Sequence, residues 1–211
     1  MENLTQLSSE DFAARLASKE PVPGGGGAAA LVGALSAALA SMVGNYTTGK
    51  KKYAAVEADI QRLLAEAASL RETLINLVQA DADAFAPLAS AYAIAKDDPS
   101  RPDVLEAATK GACEAPAEMV RQLARVIDVL EEMGEKGSRM LLSDVGCGAL
   151  FARAAMEAAA LNVWVNTKTL RDRDFATALE AELDQILAES LPKAEHVSEQ
   201  VKEKIRGKNY G

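Results

Sequence analysis

The chain has 211 residues, 49% apolar and 26% charged, and a net charge of −8, which fits one soluble domain and excludes a basic face for nucleic acid or for an anionic membrane surface. One histidine, His196, and two scattered cysteines, Cys113 and Cys147, leave no basis for a histidine triad, a zinc site, another metal centre or a disulfide framework. The first residues, MENLTQLSSEDF, are acidic and polar rather than leader-like, so a cytoplasmic chain is expected.

Alanine supplies 42 residues and aromatics only 4%. Alanine is the strongest helix former, and small side chains let helices approach closely. No segment alternates with period two, so almost no strand is expected. Ser8 or Ser9, followed by Glu10 and Asp11, predicts a capped helix to about Lys19. Pro21-Val22-Pro23 and Gly24 to Gly27 then break the chain. A second helix is expected from Gly26 or Gly27 to about Thr47. Its apolar run, Ala28 to Val43, contains serine and glycine and is short for a membrane span, so it reads as buried. Gly49 suits the end of that helix, with Lys50, Lys51 and Lys52 at its negative pole.

From Tyr53 to about Lys96 there is no glycine and one proline, Pro87. Leu63, Leu64, Ala67, Leu70, Leu74, Leu77 and Val78 recur at helical spacing, predicting a single helix of roughly 60 Å, bent near Pro87. Residues 97–102 form a loop, with Pro102 suited to a first helical turn. The next helix is expected from Asp103 to Met133, disturbed at Pro116, with a turn over 134–137. Ser143 or Asp144 can cap a helix reaching about Leu170. After a polar corner at 171–174, a last helix runs toward Arg206, bent at Pro192. The expectation is an all-α, elongated bundle of long, partly kinked helices, forming one domain over 1–211. Helices so long leave apolar stripes that a second copy of the chain can cover.

Several residues are candidates for chemistry. The glycine run opens a helix, so backbone N–H groups at Gly25 and Gly26 can bind an anion; the alternative is a turn before a tightly packed helix. Neither a Walker loop nor a dinucleotide fingerprint fits, because no lysine-serine pair follows and no strand precedes. Asn45, Lys50, Lys51, Lys52 and Tyr53 cluster at the far end of the same helix, where the lysines can meet a polyanion or simply complement the helix dipole. Asp81 and Asp83 are two apart and face different ways, so at most one faces a core. Asp144 favours a positive helix end, as a cap or as a site residue. Asn162 and Asn166 share one face of an apolar helix, and buried amides need partners. Cys147 reads as a small packing residue and His196 as solvated.

Four segments, taken together, resemble the cyclodeaminase/cyclohydrolase family of folate enzymes. They are PVPGGGGAAALVGALSAALASMVGNYTTGKKKY (21–53), ADADAF (80–85), SDVGCGALFARAAMEAAALNVWVNTKTL (143–170) and the acidic helical tail. Gly27 stands where that family normally has serine. The resemblance implies a dimer joined through its long helices, with folate bound where subunits meet. It implies hydrolysis of 5,10-methenyltetrahydrofolate, or ammonia release from 5-formiminotetrahydrofolate, or a folate-binding dimer without catalysis. It needs no metal or redox cofactor; the tetrahydrofolate derivative is the substrate. In that reading Asp81 is the catalytic carboxylate and Asp144 pairs with the pterin N–H edge. Lys50 to Lys52 receive the glutamyl tail, and Asn166 is raised to a likeness-supported site residue.

Overall fold

The alanine-rich segment that opens at the glycine run is the pivot of the molecule. In the computed structural model, which describes residues 3–207, it forms α2 (Gly25–Asn45). A short α1 (Ser9–Leu16) precedes it, capped by Ser8, whose hydroxyl accepts from the Asp11 N–H. Four long helices follow: α3 (Glu57–Ala93), α4 (Arg101–Lys136), α5 (Leu142–Thr167) and α6 (Arg173–Ile205). There is no strand among the described residues. The all-α expectation is met, and Pro87, Pro116 and Pro192 stand inside helices as expected.

Small residues set the packing. Ala30, Ala34, Ala37 and Ala40 are fully or almost fully buried, so α2 sinks between α3 and α5 with α4 behind it. Ser36 donates its hydroxyl to the Gly148 carbonyl at 2.8 Å, while Gly25 lies beside Asn162. The two helices therefore run antiparallel. The stripe on α3 (Leu63, Ala67, Leu70, Leu74 and Leu77) is buried within the chain, not left for a partner as its length suggests. Arg62 forks onto Glu132, and Lys136 bridges Asp59 and Glu132, tying α3 to α4. Arg121 forks onto Glu182, tying α4 to α6.

Several boundaries differ from expectation, each for a local reason. The long helix begins at Glu57, not Tyr53, because 51–56 form a 3-10 turn. Gly49 has φ +70°, a backbone state that favours glycine, and its N–H donates to the Glu57 carboxylate. That reversal redirects the chain before α3. Gly134 is helical rather than part of a turn, and α4 ends at Gly137, whose N–H bonds the Met133 carbonyl. Ser143 and Asp144 lie inside the first turn of α5, not at its cap. α5 stops at Thr167, three residues short of Leu170, where the Arg173 guanidinium takes the Thr167 and Leu170 carbonyls. Asp172 caps α6 by accepting from the Phe175 N–H.

Among the described residues one helix, α2, is long and apolar enough to cross a membrane, and most of it is buried inside the protein. Exposed apolar side chains remain on the neighbouring helices α2 and α5. Leu35 on α2 and Tyr46 just past its end are 50% and 54% exposed, and Leu161 and Val165 on α5 are 62% and 63%. Leu150, Phe151 and Cys147 continue the α5 stripe. Cys147 is thus exposed, not packed as expected, because it falls on the side of α5 that no other helix covers. The buried thiol is Cys113, pushed by burial to a pKa of about 11.

Candidate functional site

The site forms where the glycine run meets the middle of α3. α2 has no side-chain cap of its own at Gly24. Asp81 of α3 supplies the missing anion, taking a hydrogen bond from the Gly27 backbone N–H. A Cβ on Gly26 would stand 2.2 Å from Asp81 Oδ1, so the carboxylate lies directly against that Cα. The anion expected at this helix end is therefore met from within the chain. Burial pushes the Asp81 carboxyl above the ordinary carboxylate range, and the Gly27 N–H opposes the rise without cancelling it. Asp83 is on the other side of α3, exposed and bonded to Gln79, as their two-residue spacing requires.

A cavity of about 220 Å³ opens in front of this carboxylate. Its floor is Gly24 to Gly26 and Asp81, with Phe85 one turn further along α3. Asn162 and Asn166 come from α5, and Ala112 and Pro116 from α4. Asn162 donates Nδ2 to the Ala158 carbonyl at 2.8 Å. Asn166 donates Nδ2 to the Ala112 carbonyl at 3.2 Å. Both amide oxygens remain as acceptors, beside a carboxylate. The wall is therefore rich in acceptors and suits a ligand with N–H donors, positive charge, or both.

The remaining candidates lie elsewhere. α2 carries 21 residues, so its ends are about 30 Å apart. Asn45, Lys50, Lys51 and Lys52 are exposed at the far end. Lys50 stands 5.8 Å from the Tyr46 ring and Lys52 5.5 Å from the Tyr53 ring. The Tyr53 hydroxyl accepts from the Arg139 N–H at 3.2 Å. Burial raises the Tyr53 phenol, but that bond, Ser138 and the charges of Lys52 and Lys50 outweigh it and hold the phenol below its usual value. Asp144, half-buried in the first turn of α5, also belongs to this end. It accepts a hydrogen bond from the Ser143 hydroxyl at 3.4 Å. The structure thus gathers Gly25, Gly26, Asp81, Asn162 and Asn166 into one pocket. It sets Asn45, Lys50, Lys51, Lys52, Tyr53 and Asp144 apart from it within the same chain.

Sequence reasoning missed Ala112, Pro116 and Phe85 as pocket residues. Phe85 had a signal, being four residues after Asp81 on the same helix face. Pro116 had one too, since a proline inside a helix frees a carbonyl for an outside donor. Among the described residues, no group of three His, Cys, Asp or Glu side chains is placed to hold a metal. His196 is exposed, against Gln200.

Known proteins resemble this chain along most of its length. A methenyltetrahydrofolate cyclohydrolase of Methylorubrum extorquens is 43% identical over 200 residues, covering 93% of this chain and 96% of that protein. The formimidoyltransferase-cyclodeaminase of Rattus norvegicus is 29% identical over 92% of this chain, which spans only 36% of the rat protein. The crystal structure of formiminotetrahydrofolate cyclodeaminase from Thermotoga maritima superposes with a TM-score of 0.82 at 29% identity, over 96% of this chain and 97% of that one. The formiminotransferase-cyclodeaminase sequence model matches residues 8–185, and this chain belongs to that family.

Proposed function

We propose that this chain is a cytoplasmic folate one-carbon enzyme that hydrolyses 5,10-methenyltetrahydrofolate to 10-formyltetrahydrofolate. The observation that carries the reading is Asp81, a half-buried carboxylate whose desolvation raises its proton affinity, in an acceptor-rich cavity. The methenyl bridge is a delocalised cation between N5 and N10. Its charge next to Asp81 favours the ionised carboxylate, so the bound substrate sets up its own base. Asp81 takes a proton from water as the oxygen attacks the bridge carbon. The adduct has lost the positive charge, so Asp81 again holds its proton strongly. It passes that proton to N5 as the carbon–N5 bond breaks. The hydroxyl proton goes to solvent, leaving the formyl group on N10. Side chains and water suffice for these steps.

The cavity of about 220 Å³ is below the usual range for a whole ligand of this size, so it takes the ring system. The remainder of the folate leaves past Val165 and Leu161, onto the uncovered α2–α5 face. A second copy of the chain is the partner that fits this apolar face. Packed antiparallel about a two-fold axis, it brings its Lys50, Lys51 and Lys52 toward the cavity of the first copy. That arrangement lets the lysines receive the glutamyl tail, which they cannot do from about 30 Å away in the same chain.

The second reading is formiminotetrahydrofolate cyclodeaminase, favoured by the superposition on the Thermotoga maritima structure. There N10 attacks the formimino carbon and ammonia leaves, giving the same methenyl cation. The test is a side-by-side assay of the purified chain, following loss of the methenyl chromophore and release of ammonia. Hydrolysis with the first substrate and little ammonia from the second is expected. Ammonia release without hydrolysis makes it a cyclodeaminase, and turnover of neither rejects both.

A further inference from the structure

Pro116 stands inside α4 and on the wall of the cavity. Proline has no N–H, so the carbonyl four residues earlier loses its helical donor. That carbonyl belongs to Ala112, and it receives its hydrogen bond from outside the helix, from Asn166 Nδ2 on α5. A carbonyl in a packed helix needs a donor. Of the two ends of an amide, only the NH2 can supply one. The vacancy left by Pro116 therefore decides which way round the Asn166 amide is held. Among the described residues, Oδ1 takes no hydrogen bond.

We infer that Pro116 is a positioning residue: by freeing the Ala112 carbonyl it locks the Asn166 amide with its oxygen, not its NH2, available to an N–H donor of the ligand. The choice of donor, the ring N–H and amino groups of a pterin, rests on the folate reading above; the lock does not. Without the lock the amide can turn its NH2 toward the ligand and set donor against donor. A site built to pair with a donor discriminates through such buried polar contacts.

The test uses Pro116→Ala, Asn166→Leu and the double variant. Pro116→Ala restores an N–H that closes the Ala112 carbonyl within α4. With 5,10-methenyltetrahydrofolate, KM should rise about fivefold to tenfold in Pro116→Ala, with the loss carried by KM rather than kcat. An unchanged KM overturns the role in binding. The lock itself is read without ligand, by thermal unfolding. Asn166→Leu leaves the Ala112 carbonyl unpaired when Pro116 is present, but not when Pro116→Ala has supplied a donor. Its loss of Tm should therefore be clearly larger in the wild-type background than in the Pro116→Ala background. Equal losses overturn the lock, even if the chain turns over no folate. Wild-type protein gives an independent reading by NMR. One Asn166 Nδ2 proton should be protected from exchange with solvent, and free exchange of both overturns the lock however the variants fold.

Discussion

The Asp81 carboxylate rests on the Cα of Gly26, and a methyl group there would stand 2.2 Å from Oδ1 and 2.6 Å from the carboxyl carbon. No ordinary contact is that short, so Gly26→Ala must push α2 and α3 apart or turn the carboxylate away. An overpacked site of this kind costs about 1–3 kcal/mol. Turnover should fall with it, because the Gly27 N–H then no longer meets Asp81. Gly25→Ala is the control, since its Cβ meets Asn162 at an ordinary 3.5 Å. Thermal unfolding of the two variants should separate clearly, and matching melting would sink the close-approach argument.

Asp81→Asn tests both the chemistry and the cost of the half-buried charge. Turnover should fall by about a hundredfold or more, the range for a lost acid–base group. Stability without ligand should move the other way. Burial raises the folded-state pKa of Asp81, so the protonated form favours folding. That contribution is fully present below the ordinary carboxylate range and is lost as pH rises through the folded pKa. The asparagine variant should melt above wild type at neutral pH, and the gap should close as pH falls below that range. A lower Tm at neutral pH, with the gap widening in acid, would reverse the sign and remove the buried-charge argument.

Gly27 is the position where this chain departs from the serine that the family resemblance leads one to expect. A Cβ there would be 3.4 Å from Pro23 Cβ and 3.9 Å from Asp81 Oδ2. There is room for the side chain, and its hydroxyl comes within reach of the carboxylate. Gly27→Ser should fold normally. By donating to the ionised form it should lower the Asp81 pKa, moving the acid limb of the kcat/KM profile to lower pH. An unmoved limb would mean that the hydroxyl does not meet Asp81.

The helices were legible because their signals are local: alanine content, leucine spacing, Ser8 and Gly49. The boundaries that slipped depend on particular side-chain contacts that spacing alone does not show. The 3-10 turn before α3 is held by Glu57 and Arg139, and the end of α5 by Arg173. Asp81, Gly25, Gly26, Asn162 and Asn166 could be singled out because they break an apolar pattern. Their convergence could not be read, since it depends on α2 and α5 running antiparallel. The same geometry sends Lys50 to Lys52 and Asp144 to the other end, although the lysines follow the glycine run closely in sequence. Pro116 reads as a disturbance in sequence, and only the position of Asn166 gives its freed carbonyl a use.

The lysines and the dimer are best tested together. Replacing Lys50, Lys51 and Lys52 with alanine should raise KM for a polyglutamylated substrate by about tenfold, with a smaller effect on the monoglutamyl form and a shrinking difference as salt rises. Leu161→Arg puts a charge on the uncovered face and should shift the protein from dimer to monomer in light scattering. The sharper outcome comes from mixing two defective chains, Asp81→Asn and the triple lysine variant, after brief dissociation. In a two-fold dimer whose cavity borrows the partner's lysines, each mixed dimer has one site with both Asp81 and its lysines intact. An equal mixture holds half its chains in mixed dimers, so activity at low polyglutamylated substrate should recover to about a quarter of wild type. Lysines that serve their own chain's cavity would give no such intact site. No gain over the separate variants would therefore remove them from the shared site, while light scattering on the same mixture reports whether the chains had paired.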